Sequence, residues 1–199
     1  MNSRILQSVA AFILIMGICK SVKSQIPEHY PFKTYLDTAD NLYVTGYNGE
    51  FDIETTKFPA TNTNYEWSRS YPNPGYDRGT DLVLDAEQNV YVCGFLQSEN
   101  GYPDLCILRH NRVEGIISMV KRIDLPKEDK LYGIARDGEY FYAVGFKTSR
   151  NLKDIFLMKF DRFGDTIWTR TFNNNEYNRD DVATDILVDG NFVYVIGYT

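Results

Sequence analysis

Short apolar stretches separated by polar turns follow one another along the chain from about residue 30 onward. These stretches are rich in Val, Ile, Tyr, Phe and Thr, which favour β-strands, and the turns between them are rich in Asp, Asn and Gly. The clearest strands are residues 82–84 and 186–188, each of which is followed by an aspartate. No stretch beyond the first 24 residues has sustained helical periodicity with caps at both ends. The pattern therefore predicts an all-β chain.

One phrase, in which Tyr stands three residues before Gly, recurs four times in this pattern. The four copies contain Tyr43 and Gly46, Tyr91 and Gly94, Tyr142 and Gly145, and Tyr194 and Gly197. Their glycines are separated by 48, 51 and 52 residues, which is long enough for four short strands and their turns. The body of the chain is therefore one unit repeated with a period of about 50 residues.

The other parts of the unit recur in step with this phrase. An aspartate ends the strand before each phrase, and in chain order these residues are Asp37, Asp85, Asp137 and Asp189. A second aspartate precedes it by eight residues in three units, at Asp77, Asp129 and Asp181, and His29 stands there in the first unit. A later strand has a basic residue followed by a ring, and the last strand contains Trp67, Met119 or Trp168. Each complete unit thus predicts four antiparallel strands.

Repeated four-stranded sheets can bury both faces by packing around an axis, as the blades of a β-propeller do. We predict units at about residues 30–74, 75–126, 127–177 and 178–199, the last of them incomplete. The chain then holds about three and a half blades, fewer than a closed ring requires. We expect the sequence to be a fragment of a complete propeller; self-assembly, or an N-terminal strand that closes the last blade, is the alternative. A linear β-solenoid is the second architecture, although its repeats are usually shorter.

The repeat resembles the bacterial β-propeller repeat often called the SBBP repeat. That repeat has an apolar strand ending in Asp, then Tyr-Val-x-Gly, then Asp-x-Phe-x-x-Lys-Phe-Asp-x-x-Gly and a Trp. The third unit matches the pattern best, in residues 154–164 with Trp168. The resemblance covers about residues 30–199 and implies an exported bacterial protein built on a propeller. It supplies no catalytic residues, because the family shares none.

The first 24 residues have the features of a secretory signal peptide. Arg4 is followed by an apolar stretch of about 11 residues, from Val9 to Cys19, and small side chains precede a cleavage point at Gln25. This stretch is shorter than the roughly 20 residues that a membrane-spanning helix needs. We therefore predict a mature chain of residues 25–199 that is secreted, at the cell surface or in the periplasm. A retained membrane anchor and lipidation at Cys19 are the alternatives.

The charge distribution argues against nucleic acid as a partner. The formal net charge is −6, and the Lys and Arg residues are scattered rather than gathered in the stripe that phosphates require. The hydrophobic content of 43% and the aromatic content of 15% are high enough for a folded core. We expect the partner to be an extracellular protein or a glycan, and we expect no membrane span in the mature chain.

Two groups of residues are candidates for a role beyond the repeat. The aspartates, including Asp85, Asp137 and Asp189, could bind calcium, but Asp at the start of a turn also accepts hydrogen bonds from nearby backbone amides. We favour the turn role and expect no cofactor or metal. Cys93 and Cys106 remain in the mature chain, and they could form a cross-strand disulfide if they face each other in a hairpin. Two buried free thiols are the alternative.

The sequence has no Gly-x-Ser-x-Gly elbow, no P-loop and no His-Glu-x-x-His pair. Residues 161–168 are similar to the sialidase Asp box but differ in spacing, and they are closer to the tryptophan repeat that clamps the blades of quinoprotein dehydrogenases. We therefore predict a non-catalytic binding scaffold. The alternative is the N-terminal part of a larger exported propeller enzyme, a quinoprotein-like dehydrogenase or a glycan-acting hydrolase, whose active site lies outside this segment.

Binding would be encoded where the units differ from one another. The strands repeat closely, whereas four loops vary, at residues 47–50, 95–103, 146–153 and 173–177. Loops on a rigid scaffold commonly carry recognition, and their Tyr, Asn, Ser and Gly content suits polar ligands such as glycans or peptides. We therefore expect a binding site to lie on these loops.

Overall fold

The structure, a computed structural model, describes residues 30–174 and 179–199. The predicted signal peptide, Cys19, His29 and residues 175–177 of the fourth loop lie outside these ranges. The described residues form fourteen β-strands and contain no helix, so no helix among them could cross a membrane. The predicted all-β class is therefore confirmed.

The strands belong to four antiparallel sheets, in each of which hydrogen-bonded neighbours follow chain order. Sheet 1 contains β1 (Tyr30–Leu36), β2 (Leu42–Tyr47), β3 (Ile53–Phe58) and β4 (Trp67–Tyr71). Sheet 2 contains β5 (Arg78–Leu84), β6 (Val90–Gln97), β7 (Pro103–His110) and β8 (Ile117–Ile123). Sheet 3 contains β9 (Asp129–Asp137), β10 (Tyr140–Ser149), β11 (Leu152–Asp161) and β12 (Thr166–Phe172). Sheet 4 contains β13 (Val182–Asp189) and β14 (Phe192–Tyr198).

Successive sheets pack against one another through their first strands. β5 contacts the first three strands of sheet 1, β9 contacts those of sheet 2, and β13 contacts those of sheet 3. Hydrogen bonds also join β5 to β9. The Thr80 hydroxyl donates to the Leu131 carbonyl at 2.8 Å, and the Ile134 amide donates to Asp81 Oδ2 at 2.9 Å. The sheets are therefore stacked in chain order, with their first strands side by side.

Successive side chains along each strand point alternately to the previous sheet and to the following sheet. On β6, Val90 belongs to the buried cluster shared with sheet 1, whereas Tyr91 and Cys93 belong to the cluster shared with sheet 3. On β10, Phe141 packs toward sheet 2 and Tyr142 packs toward sheet 4. Both faces of the two middle sheets are thus buried, which explains why their central strands are apolar at nearly every position.

The glycine of each repeated phrase faces a β-bulge on the first strand of its sheet. From sheet 1 to sheet 4, the bulged residue and its glycine are Phe32 and Gly46, Thr80 and Gly94, Tyr132 and Gly145, and Thr184 and Gly197. A Cβ atom on these glycines would lie 1.9 to 2.1 Å from a carbonyl oxygen of the first strand. Only glycine fits at this position, because the carbonyl beside the bulge lies directly against the second strand.

The register that a disulfide between Cys93 and Cys106 requires differs by one residue from the register in the structure. Cys93 lies opposite Ile107, and Cys106 lies opposite Gly94. Since neighbouring positions on a strand point to opposite faces, Cys93 packs toward sheet 3 and Cys106 packs toward sheet 1. Both cysteines are buried free thiols, so the possible disulfide is replaced by the alternative of two unpaired side chains.

The antiparallel order gives every sheet two different ends. At the end that we call the loop end lie the loops between second and third strands and the connections from one sheet to the next. At the opposite end, the turn end, lie the tight turns after each first strand and the loops after each third strand. The four variable loops, as far as they are described, therefore all lie at the loop end.

Candidate functional site

The predicted tyrosines and tryptophans form rows across the sheets. Tyr43, Lys57 and Trp67 are successive cross-strand neighbours, and Lys57 Nζ lies 5.8 Å from the centre of the Tyr43 ring. Trp67 also stacks on His110 of sheet 2, with ring centres 5.8 Å apart. Sheet 3 has the same row, formed by Tyr142, Lys159 and Trp168. These side chains pack one sheet against another.

The equivalent tyrosines of sheets 2 and 4 differ in their surroundings. The Arg109 guanidinium lies 5.7 Å from the centre of the Tyr91 ring, and the Tyr91 hydroxyl donates to the Arg162 carbonyl at 2.8 Å. Burial raises the pKa of Tyr91 to about 12. Tyr194 is 50% exposed because no further sheet among the described residues covers its face. The tyrosine row is therefore a packing feature of the sheets.

The aspartates before each phrase lie at the tight turns of the turn end. Asp85 Oδ1 accepts hydrogen bonds from the amides two and four residues later, at 2.9 and 2.8 Å. Asp137 and Asp189 begin two-residue turns instead, and the glycines that follow them, Gly138 and Gly190, have φ angles of 58° and 59°. In residues 30–174 and 179–199, no group of three or more His, Cys, Asp or Glu side chains is placed to hold a metal ion.

Two aspartates of the second set, Asp77 and Asp181, donate a backbone hydrogen bond to the preceding sheet. The Asp77 amide donates to the Phe51 carbonyl of sheet 1 at 2.8 Å, while Asp77 Oδ1 accepts a hydrogen bond from the Gln97 amide of sheet 2 at 2.6 Å. Asp129 accepts the equivalent bond in sheet 3 from the Thr148 amide at 2.7 Å. Sequence reasoning found these residues in register but missed this role, because the bonds connect residues from different turns and strands.

Two of these junction aspartates hold their protons unusually strongly. Burial raises the pKa of Asp77 and that of Asp129 to about 6, and the nearby charges of Asp52 and Asp104, respectively, also raise them. In each carboxyl group, Oδ2 is buried without a hydrogen-bond partner in the described part of the chain. Asp77 and Asp129 therefore hold backbone at the loop end in place, and ionisation of either buried carboxyl group lowers the stability of the fold.

An aromatic ring follows the glycine of each phrase and lies at the loop end. These rings are Tyr47, Phe95, Phe146 and Tyr198. Three of them have a cation over the ring: Arg78 Cζ at 5.2 Å from the Tyr47 centre, Lys130 Nζ at 4.6 Å from Phe95, and Lys153 Nζ at 4.4 Å from Phe146. Cations at these distances are attracted to the ring faces, so a cation–ring contact recurs from sheet to sheet.

The contact is different at the junction of sheets 1 and 2, where Arg78 lies among several rings. The Arg78 Cζ is 4.9 Å from the centre of the Phe32 ring, 5.2 Å from that of Tyr47 and 5.3 Å from that of Tyr76. The Arg78 Nη2 also donates to the Tyr76 hydroxyl. We call Arg78, these three rings, Tyr30 and Phe51 the Arg78 site.

Tyr30 and Phe51 extend the aromatic surface of the Arg78 site. The Tyr30 ring stacks on Tyr47 with centres 4.8 Å apart, and the Phe51 ring lies 6.0 Å from Tyr47 and 5.6 Å from Tyr76. Tyr30, Phe32 and Phe51 are 46%, 53% and 49% exposed. Large rings that are half open to solvent offer apolar faces to a ligand.

The lysines over Phe95 and Phe146 are both neutralised by one acid. Lys130 Nζ lies 2.7 Å from a Glu128 carboxylate oxygen, and Lys153 Nζ lies 3.7 Å from the other. Burial raises the pKa of Glu128, but the hydrogen bonds and charges of the two lysines outweigh burial and hold this pKa below its usual value. For Arg78, no carboxylate of the described residues lies within ion-pair distance.

The sequence accounts for this difference between the junctions. The residue before the junction aspartate is Glu128 or Asp180 at the later junctions, but it is Tyr76 at the first. A ring therefore stands beside Arg78 where the next junction has an acid beside Lys130. Sequence reasoning missed the Arg78 site, although this exchange of acid for ring in register was the signal that could have found it.

The turn end has a cleft of different character between sheets 2 and 3. Its lining includes Asp85, Glu87, Arg136, Glu139 and Arg162. The Arg162 guanidinium lies 4.9 Å from the Phe163 ring, but it is also 3.8 Å from Glu87 and 3.9 Å from Glu139. Arg162 is thus accompanied by acids, unlike Arg78.

Two of the predicted variable loops contribute directly to the loop-end surface. Residues 47–50 begin with a ring of the Arg78 site, and residues 95–103 begin with Phe95, whose ring lies 5.8 Å from Tyr76. No protein-family model matches the chain, and no match to a curated protein reaches significance. The fold and the Arg78 site are therefore the observations from which a function is inferred.

Proposed function

We propose that this chain is an exported binding scaffold of β-propeller type with no catalytic activity of its own. The four-stranded antiparallel sheets, their adjacent first strands and the burial of both faces of the middle sheets support a propeller arrangement. In that arrangement the first strands surround the axis and the loop ends form one face. The predicted signal peptide and the resemblance to the SBBP repeat support export.

The Arg78 site is the observation on which the binding function rests. Arginines held within proteins are usually paired with acids, because an unpaired charge is costly to remove from water. Arg78 has rings instead of an acid beside it, and three of the site's rings are about half exposed. The site also lies on the face where the loops vary between units. An external ligand at this face would complete the environment of the guanidinium.

An array of extracellular glycans and peptides, probed with the full chain, tests this function. The disabling variant combines Phe32→Ala with Arg78→Met. The matched control combines Phe163→Ala with Arg162→Met, because the Arg162 guanidinium lies over the Phe163 ring at the same 4.9 Å that separates Arg78 from Phe32. The two variants therefore remove equivalent groups from opposite ends of the sheets.

We expect the wild-type chain and the turn-end control to bind the same members of the array. The Arg78-site variant should lose about tenfold or more of that affinity, since removal of a central anchor commonly costs 2 kcal/mol or more, roughly. Equal binding by the Arg78-site variant would contradict the proposal. Chemical conversion of a bound glycan would contradict the non-catalytic role and favour the alternative of a propeller enzyme.

A further inference from the structure

We infer that the ligand of the Arg78 site is a polysaccharide that carries carboxylate groups, such as a polymer of uronic acids. This inference rests on the proposed binding function and adds the chemical class of the ligand. It combines two requirements of the site, an anionic partner for Arg78 and a flat, partly apolar partner for the exposed rings.

The anionic partner follows from the charge balance of the junction. A guanidinium presents parallel N–H groups that match the two oxygens of a carboxylate, and it is more weakly hydrated than a lysine ammonium. The rings of Phe32, Tyr47 and Tyr76 surround Arg78 and displace water from beside it. Electrostatic attraction is stronger where water is displaced, so an arriving carboxylate gains more here than at an ordinary surface arginine.

The sugar partner follows from the shape of the aromatic surface. Sugar rings have faces of C–H groups that pack on aromatic rings, and their hydroxyl groups remain in contact with water at the edges. Tyr30 and Phe51 each lie against Tyr47, and Phe32 lies on the other side of the Arg78 guanidinium. All three rings are about half exposed, so they form an open surface rather than an enclosed pocket. An open row of rings suits successive residues of a polymer better than a small molecule.

The neighbouring junction supplies an internal comparison for this argument. There, Glu128 occupies the position of Tyr76 and forms ion pairs with Lys130 and Lys153. An acid at position 76 should neutralise Arg78 in the same way without removing the arginine or its rings on β1 and β2. The substitution Tyr76→Glu therefore neutralises Arg78 while the arginine and its rings on β1 and β2 stay in place.

Isothermal titration calorimetry of the full chain with two probes tests the inference. The probes are an oligogalacturonate and its methyl ester, which have the same sugars but differ in charge. The variants are Arg78→Met and Tyr76→Glu, with Arg162→Met as the control at the turn end. Thermal melts establish that each variant is folded before it is titrated.

We expect the wild-type chain to bind the acid form at least about tenfold more tightly than the ester. Arg78→Met and Tyr76→Glu should each weaken binding of the acid form by about tenfold, and each should weaken binding of the acid form more than binding of the ester. Arg162→Met should bind both probes as the wild type does. Increasing salt should weaken binding of the acid form only, because screening acts on the charged pair.

Equal affinities of the wild type for acid and ester overturn the inference, as does unchanged binding of the acid form in both Arg78→Met and Tyr76→Glu. If the wild type binds the acid and the ester equally but Phe51→Ala abolishes binding of both probes, the proposed ligand class is wrong and the proposed binding function stands. If the wild type binds a probe but none of Arg78→Met, Tyr76→Glu and Phe51→Ala changes the affinity, the probe binds outside the Arg78 site. The proposed ligand class and the proposed binding function are then both wrong. Failure to bind either probe overturns the ligand class alone, since the array experiment does not depend on it.

Discussion

One carbonyl oxygen explains the glycine at the end of each repeated phrase. In sheet 2 this is the Arg78 oxygen, which would lie 2.0 Å from a Cβ atom on Gly94. The sequence reveals that the glycines recur, but not why, because the bulge that brings the oxygen close depends on the pairing of two strands. Roles set by local contacts, such as that of Asp85 in its turn, could be predicted from the sequence.

Replacement of Gly94 by alanine should destabilise the fold by about 2 to 4 kcal/mol, since a backbone oxygen cannot move aside as a flexible side chain can. The control is Gly138→Ala, where φ is 58° but no atom lies within 4 Å of the added Cβ. That change should cost only about 1 kcal/mol of backbone strain. Urea unfolding of the two variants measures both values, and equal losses would contradict the role of the carbonyl contact.

Asp77 and Asp129 should make the fold less stable as the pH rises from about 4 to 7. The pKa of each carboxyl group is raised from 3.8 to about 6 in the folded protein. Both groups are protonated at low pH in the folded and the unfolded protein, and as the pH rises the unfolded protein loses these protons first. The stabilising contribution is therefore complete below pH 3.8 and is lost as the pH rises through about 6.

Substitution Asp77→Asn removes this titration while it keeps an acceptor for the Gln97 amide. The free energy of unfolding of the variant should rise relative to wild type by about 2 kcal/mol between pH 4 and pH 7.5. Urea midpoints across that range measure the difference. Asp165→Asn, at an exposed position of the turn end, serves as the control. A difference between Asp77→Asn and wild type that does not change with pH would refute the assignment.

At the scale of elements, strands and turns could be predicted from the sequence, whereas the register of the hairpin with Cys93 and Cys106 could not. A disulfide would require Cys93 opposite Cys106, whereas the Ser98–Tyr102 turn sets Gly94 opposite Cys106. Register depends on the conformation of the connecting loop, and here Gly101 has a φ of 87°. A shift of one residue sends a side chain to the other face, so the two thiols lie in different cores.

Cys93 and Cys106 should therefore remain free thiols in the purified protein. Burial raises the pKa of both thiols, which makes them unreactive in the folded state. Iodoacetamide without a reductant should modify neither residue in buffer and both residues in urea, as peptide mass spectrometry will measure. A sample reduced beforehand should give the same result in urea. Modification in urea only after reduction would mean that the cysteines are paired.

At the scale of the molecule, the repeat period predicted four-stranded units, and the alternation of apolar positions accounts for burial of both sheet faces. The Arg78 site could not be predicted in the same way. Its rings come from β1, β2, the loop after β2 and the connection before β5, and their meeting around Arg78 depends on how sheet 2 packs against sheet 1. Features that lie within one unit can be predicted from the sequence. Contacts between units cannot, because they depend on how the sheets pack against one another.

The outer face of sheet 4 should cause the chain to self-associate. Tyr194 and Ile196 are 50% and 65% exposed, although their counterparts in sheet 2, Tyr91 and Cys93, are fully buried against the next sheet. Light scattering should give an average mass that rises with concentration, because exposed apolar faces of this kind associate.

The double substitution Tyr194→Lys and Ile196→Lys should abolish this rise in mass. A matched control places lysines at Val113 and Phe163, which are 64% and 65% exposed at the turn end. The control should associate as the wild type does. A wild-type mass that is independent of concentration, or equal association by both variants, would contradict a role for the sheet 4 face.

The central claim is that the loop end is the binding face, and chemical-shift mapping by NMR tests it most directly. Titration of the full chain with the oligogalacturonate should shift the amide signals of Tyr47, Phe51, Tyr76 and Arg78. The signals of the turn end, such as that of Gly138, should remain in place. Shifts concentrated at the turn end, with the Arg78 site unaffected, would contradict the account.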